Sequence, residues 1–210
     1  MAENKDLNWI LAQHKKIAPE KIDLLDASKI LNLASSEDDL ETNFHAMHLL
    51  MPIHMGYIEL KDRVERILAE KVNSNDSKLH WLAISISLRI KFTKPEILQI
   101  PKDNLAEKIL ILITRLKSGD GAANKELAST LVENNKYLQK WLMPNSAFHE
   151  SLDVVSELVL APTILTVGTI LYKSKFYKLS KEILTVLASA PCGLSAHETE
   201  EAKLMLKRFK

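Results

Sequence analysis

Residues 79–92, Leu-His-Trp-Leu-Ala-Ile-Ser-Ile-Ser-Leu-Arg-Ile-Lys-Phe, decide the fold class. From Leu82 to Phe92 apolar side chains alternate with Ala83, Ser85, Ser87, Arg89 and Lys91, and a period of two is a strand signature. On a helical wheel the same residues divide differently. Leu79, Leu82, Ile86 and Ile90 share one face, and Trp81, Ile84, Leu88 and Phe92 share the opposite one, as in a helix buried between two layers. No second segment offers an equally good strand partner, and a lone strand leaves its backbone groups unpaired. The stretch is read as helix, with a strand over 82–92 as the alternative.

Composition supports that choice. Five glycines in 210 residues is well below the roughly 7% of average usage, whereas sheet-rich and phosphate-binding folds need glycine for tight turns and close backbone approach. Leu, Ile, Lys, Glu and Ala dominate, and all but Ile are good helix formers. Hydrophobic residues at 46% and charged residues at 26% describe a folded globular chain. The expectation is an all-α protein of stacked antiparallel helical hairpins in a single domain, 1–210, with a peripheral N-terminal helix at 5–16 and a capping helix at 199–209.

The net charge of +1 is unevenly spread: −5 over residues 1–70, +2 over 71–172 and +4 over 173–210. That excess is too small to argue for nucleic-acid binding, which wants a clustered basic face interleaved with aromatics. Cys192 is the single cysteine, so neither an intrachain disulfide nor a cysteine-based zinc site can form, and a reducing, cytoplasmic setting is expected. The opening MAENKDLNW lacks the basic start and apolar core of a signal peptide. Leu158 to Tyr172 is uncharged but shorter than the ~18–20 residues that span a bilayer, and it contains Pro162, so it reads as core and no membrane insertion is expected.

Helix boundaries are well marked. Pro19 suits the first turn of a helix carrying Ile22, Leu25, Ile30 and Leu33, which Asp26 and Ser28 could split. Ser36 and Asp39 resemble a capping box ahead of the stripe Leu40, Phe44, Met47 and Met51, with Pro52 kinking or ending that helix. Ile58, Val64, Ile67, Leu68 and Val72 form the next run, closed by the turn 73–77. Leu105, Ile109, Leu112, Ile113 and Leu116 make an apolar helix ended at Gly119-Asp120-Gly121. Further helices carry Leu127, Leu131 and Val132, then Tyr137 to Leu142, then Phe148 to Val159 behind a Ser146 cap. The last carries Ala202, Leu204, Met205 and Leu206.

Several clusters invite a chemical reading. His45, Met47, His48, Met51, His54 and Met55 are ligand types for soft copper at helical spacing, but core packing by the methionines accounts for them, and no metal or cofactor is expected. Cys192, near His197, lacks any further triad partner. The pairs Asp38/Asp39 and Glu200/Glu201 fall where acids favour helix first turns. No nucleotide, zincin or hydrolase motif is present, and no catalytic residue is assigned. Trp81 reads as core, whereas Trp9 and Trp141, with Tyr137, stand in short helices bounded by polar residues and are the candidate partner-binding anchors.

From Thr163 the chain resembles a tetratricopeptide-type hairpin. Gly168 sits at the small position of the first helix, Tyr177 and Ser180 at the aromatic and small positions of the second, Leu184 follows, and Pro191 closes it. Leu171 replaces an aromatic, and the motif's tryptophan and second glycine are missing. The resemblance implies αα-hairpin packing. In size, in its Lys/Ile/Asn/Leu-rich composition and in its segments NWILAQHKK and KLMLKRFK, the chain also resembles the small helical adaptor subunits of the Dot/Icm type IV secretion coupling complex. That resemblance implies a cytoplasmic adaptor that docks on a coupling ATPase tail and recruits effectors. The functional expectation is a non-enzymatic adaptor binding a partner helix or peptide in a groove. The alternative is a secreted effector, from the glutamate-rich stretch His197 to Glu201 near the C-terminus. An enzyme without a recognisable motif is the third class.

Overall fold

The computed structural model describes residues 4–15, 22–36, 39–134, 136, 157–189 and 196–209, which form eleven α-helices, two short 3-10 turns and no strand. The fold is all-α. Two compact units divide the chain, Met1–Leu98 and Gln99–Lys210. Among the described residues no helix is long and apolar enough to cross a membrane.

The first unit comprises α1 (Lys5–His14), α2 (Leu24–Ser35), α3 (Leu40–Met47), α4 (Leu50–Gly56), α5 (Lys61–Lys71) and α6 (Ser77–Arg89). Helix α6 packs against α3, α4 and α5, so its central run is buried all round: every residue from Leu82 to Leu88 is buried, serines included. Asp76 caps it, accepting from Leu79 N at 2.9 Å. The helix stops at Arg89, three residues short of Phe92, and Ile90 is extended (φ −102°, ψ 164°). Ile90 and Phe92 point inward and Lys91 outward, so the alternation that suggested a strand is realised only over these last residues. Buried Glu65 on α5 holds the segment there. Its carboxylate accepts from Thr93 N at 2.9 and 3.0 Å and from Thr93 Oγ1 at 2.9 Å, and His54 Nε2 of α4 lies 3.3 Å away. One carboxylate thereby accepts from both the backbone and the hydroxyl donor of Thr93, beyond the end of the helix.

Several boundaries differ from the sequence expectation, among them the start of α2, which Asp23 caps so that Ile22 lies ahead of the helix. Asp39 itself, not Ser36, caps α3, accepting from Glu41 N and Thr42 N, while Ser36 closes α2. The helix expected to run from Leu40 through Met51 breaks at His48–Leu49. Pro52 then lies in the first turn of α4, because its ring would clash with the carbonyl four residues back in a continuous helix. Helix α2 is unsplit and buries Ala27, Ile30, Leu31 and Ala34, which leaves Leu25 at 82% exposure. Ile58, expected in the apolar stripe of α5, lies in a 3-10 turn before it and is 80% exposed. Helix α1 packs on α3, with Ile10 fully buried.

The second unit comprises α7 (Leu105–Lys117), α8 (Gly121–Glu133), α9 (Glu157–Lys173), α10 (Tyr177–Ser189) and α11 (Ala196–Leu206). Helix α7 buries six successive residues, Ile109 to Thr114. Helices α9 and α10 form the hairpin read from the sequence. A Cβ on Gly168 would lie 2.6 Å from Leu184 Cδ2, so the glycine permits the helices to approach, and buried Ser180 Oγ donates to Gly168 O at 2.6 Å. Helix α11 covers α10 and α9 through Ala202, but Leu204, expected inward, is 56% exposed. The expected helices around Tyr137–Leu142 and after Ser146, up to the start of α9, lie outside the described residues, as do Pro19, Pro191 and Cys192.

Two hairpins turn by the same device. After α7, Asp120 N donates to Arg115 O and Gly119 N to Leu116 O. After α9, Phe176 N donates to Leu171 O and Lys175 N to Tyr172 O. Both are Schellman closures with a left-handed residue at the pivot: Gly119 at φ 99° in one and Lys175 at φ 68° in the other.

Candidate functional site

In the first unit, His14 of α1, His45 of α3 and His48 at the α3–α4 break meet Leu49, Met51, Pro52 and Met55 around an open pocket of about 680 Å³. His14 Nε2 lies 2.8 Å from His45 O, and since a carbonyl can only accept, that nitrogen carries the proton. The His14 ring stands edge-on to His45 and His48, with centroids 5.7 and 6.2 Å apart, and Phe44 packs edge-on to His48 at 4.8 Å. Desolvation holds the His48 pKa below the ordinary histidine value, with the charges of His14, His45 and Arg89 acting in the same direction. Met55, at the rim, is 72% exposed.

This set differs from the one grouped in the sequence. Met47 is fully buried core, and His54 is turned inward to Glu65. His14 joins instead, across the α1–α3 contact, which no local spacing reveals. Among the described residues no group of three or more His, Cys, Asp or Glu is arranged to hold a metal ion.

In the second unit, Val132 of α8 and Lys175, Phe176, Tyr177, Lys178, Leu179 and Glu182 line a pocket of about 560 Å³ at the α9–α10 turn. Tyr172, Tyr177 and Phe209 form an edge-to-face cluster beside it, with centroids 5.1 Å apart for Tyr172–Phe209 and 5.4 Å for Tyr172–Tyr177. Phe176 and Tyr177 remain 43% and 51% exposed.

Of the expected anchors, Trp9 is half-buried on α1. Lys29 Nζ lies 4.2 Å above its ring and is also 3.1 Å from Asp6 Oδ1, so one face of the indole is covered from within the chain. Tyr137 and Trp141 lie outside the described residues. Two of the three acids of the 197–201 stretch are engaged inside α11: Glu200 with Lys203 at 2.7 Å and Glu201 with His197 at 3.7 Å. Lys203 lowers the Glu200 pKa through that hydrogen bond. Compared with known proteins, the chain matches no family model, no curated protein and no solved structure.

Proposed function

We propose that the chain is a non-enzymatic interaction adaptor that takes an amphipathic helix or peptide of a protein partner against the methionine- and histidine-lined pocket of the first unit. The observation that carries this reading is the pocket itself, whose walls are Leu49, Met51, Pro52 and Met55 beside imidazoles. Methionine is unbranched and polarisable and re-packs against irregular surfaces, and an amphipathic helix laid in such a groove buries its apolar anchors there. The finer reading is a cytoplasmic subunit of a bacterial type IV secretion coupling complex, supported by the likeness in composition and terminal segments described above.

Affinity capture from the native host, with the wild type beside Met55→Asp, tests the reading. Met55 is largely solvent-exposed, so the substitution leaves the fold intact. A stoichiometric protein partner held by the wild type and lost with the variant supports the adaptor. Recovery of the wild type only as free monomer, under conditions that preserve known complexes, overturns it. The identity of the retained partner decides the secretion assignment.

A further inference from the structure

The α9–α10 turn gathers cations where the fold disfavours them. Lys175 occupies a left-handed pivot, at which any side chain costs more than the glycine used at the matching turn after α7. Lys178 lies in the first turn of α10, which has no acidic residue, at the end where the helix dipole repels positive charge. Lys173 closes α9 a few residues away. All three lysines are exposed, and among the described residues none has a carboxylate within ion-pair distance. Among the described residues Glu182 is the single acid lining the pocket they surround, beside Tyr177 and the apolar Val132, Phe176 and Leu179. Beside it stands the Tyr172–Tyr177–Phe209 cluster.

We propose that this corner of the second unit is a docking surface for an acidic amphipathic segment of a protein partner, with Lys173, Lys175 and Lys178 facing its carboxylates and the Phe176–Tyr177 pocket receiving an apolar anchor. A bound carboxylate would lie at the α10 N-terminus and offset the repulsion between Lys178 and the helix dipole. A nucleic acid would use the same lysines but needs ring faces for stacking. Here Tyr172, Tyr177 and Phe209 pack edge to face on one another at interplanar angles of 65–87°, which leaves Phe176 as the single further ring lining the pocket among the described residues, too few faces for a run of stacked bases. The acidic peptide is therefore the favoured occupant. The surface shares no residue with the first-unit pocket, so either assignment can fail alone.

Fluorescence anisotropy on the full chain tests it with three labelled probes: a Glu/Leu amphipathic peptide, its Lys/Leu counterpart, and single-stranded oligouridine of matched charge. Lys175→Gly is the decisive variant, because it deletes the charge while relaxing the backbone, so weaker binding cannot be ascribed to unfolding. The Glu/Leu peptide is expected to bind best, to weaken with added salt, and to lose about 2–5-fold in affinity with Lys175→Gly and again with Lys178→Gln. Tyr177→Ala is expected to weaken it with little change in salt dependence. Equal binding of the acidic and basic peptides, tighter binding of oligouridine, or unchanged affinity in Lys175→Gly with a raised melting temperature would each overturn the proposal.

Discussion

At the scale of single residues, the two Schellman pivots make an internal comparison. Lys175→Gly is expected to stabilise the chain by roughly 0.5–1 kcal/mol in urea unfolding, since glycine holds the same left-handed conformation without the Cβ clash, and this outweighs the entropy it adds to the unfolded chain. Gly168→Ala is the converse case. Its new methyl meets Leu184, itself fully buried, so overpacking is expected to cost about 1–3 kcal/mol, and Leu184→Val in the same chain should restore part of it. His48 supplies a pH dependence. Its folded pKa lies below the ordinary 6.5, so the unfolded chain binds the proton better between those two values. Stability is full above 6.5, falls as pH drops through the lowered pKa, and then levels off. The ring keeps solvent contact, so the slope is shallow. Melting curves across this range should be flatter for His48→Gln than for the wild type.

At the scale of elements, α6 shows why a periodic sequence can be read two ways. A helix buried on every side has no polar face to betray its period, so Leu82 to Leu88 offers alternation and continuity at once. Helix could be inferred there from the absence of a strand partner, but not where it ends. That end depends on Glu65, 28 positions upstream of Thr93, and a lone glutamate in an amphipathic helix gives no sign that it will be buried. Glu65→Ala is expected to cost about 1–3 kcal/mol, because Thr93 N and Oγ1 lose a charged acceptor that water at the exposed Thr93 replaces only in part. Denaturant unfolding with Glu65→Gln alongside measures how much one remaining acceptor oxygen recovers. The Gly168–Ser180–Leu184 hairpin was legible because its close approach is written in small residues at fixed spacing. The pocket was legible only in part: Met51, Met55, His45 and His48 lie within a dozen residues, while His14 arrives through tertiary packing.

At the scale of the whole molecule, each unit has its own helix with a buried central run: Leu82–Leu88 of α6 in Met1–Leu98 and Ile109–Thr114 of α7 in Gln99–Lys210. Damage to one core is therefore expected to remain local. In Glu65→Ala, amide hydrogen exchange should accelerate across α4 to α6 while the protection of α7 holds, and a uniform loss in both units would show that they unfold as one. The charge divides by unit as well. Residues 1–98 carry thirteen Lys/Arg against fifteen Asp/Glu, and residues 99–210 carry fifteen against twelve. An acidic partner therefore meets its favourable field in the second unit, near the lysine corner. The hold of Glu65 on Thr93 also dictates where foreign sequence can enter the chain. One residue added between Arg89 and Thr93 would advance the extended backbone by about 3.3 Å, exchange the inward and outward places of Lys91 and Phe92, and pull Thr93 off its carboxylate. A tag or reporter loop should be rejected there. In the exposed run Lys102–Asn104, where no helix has yet begun, the same insertion should be accepted.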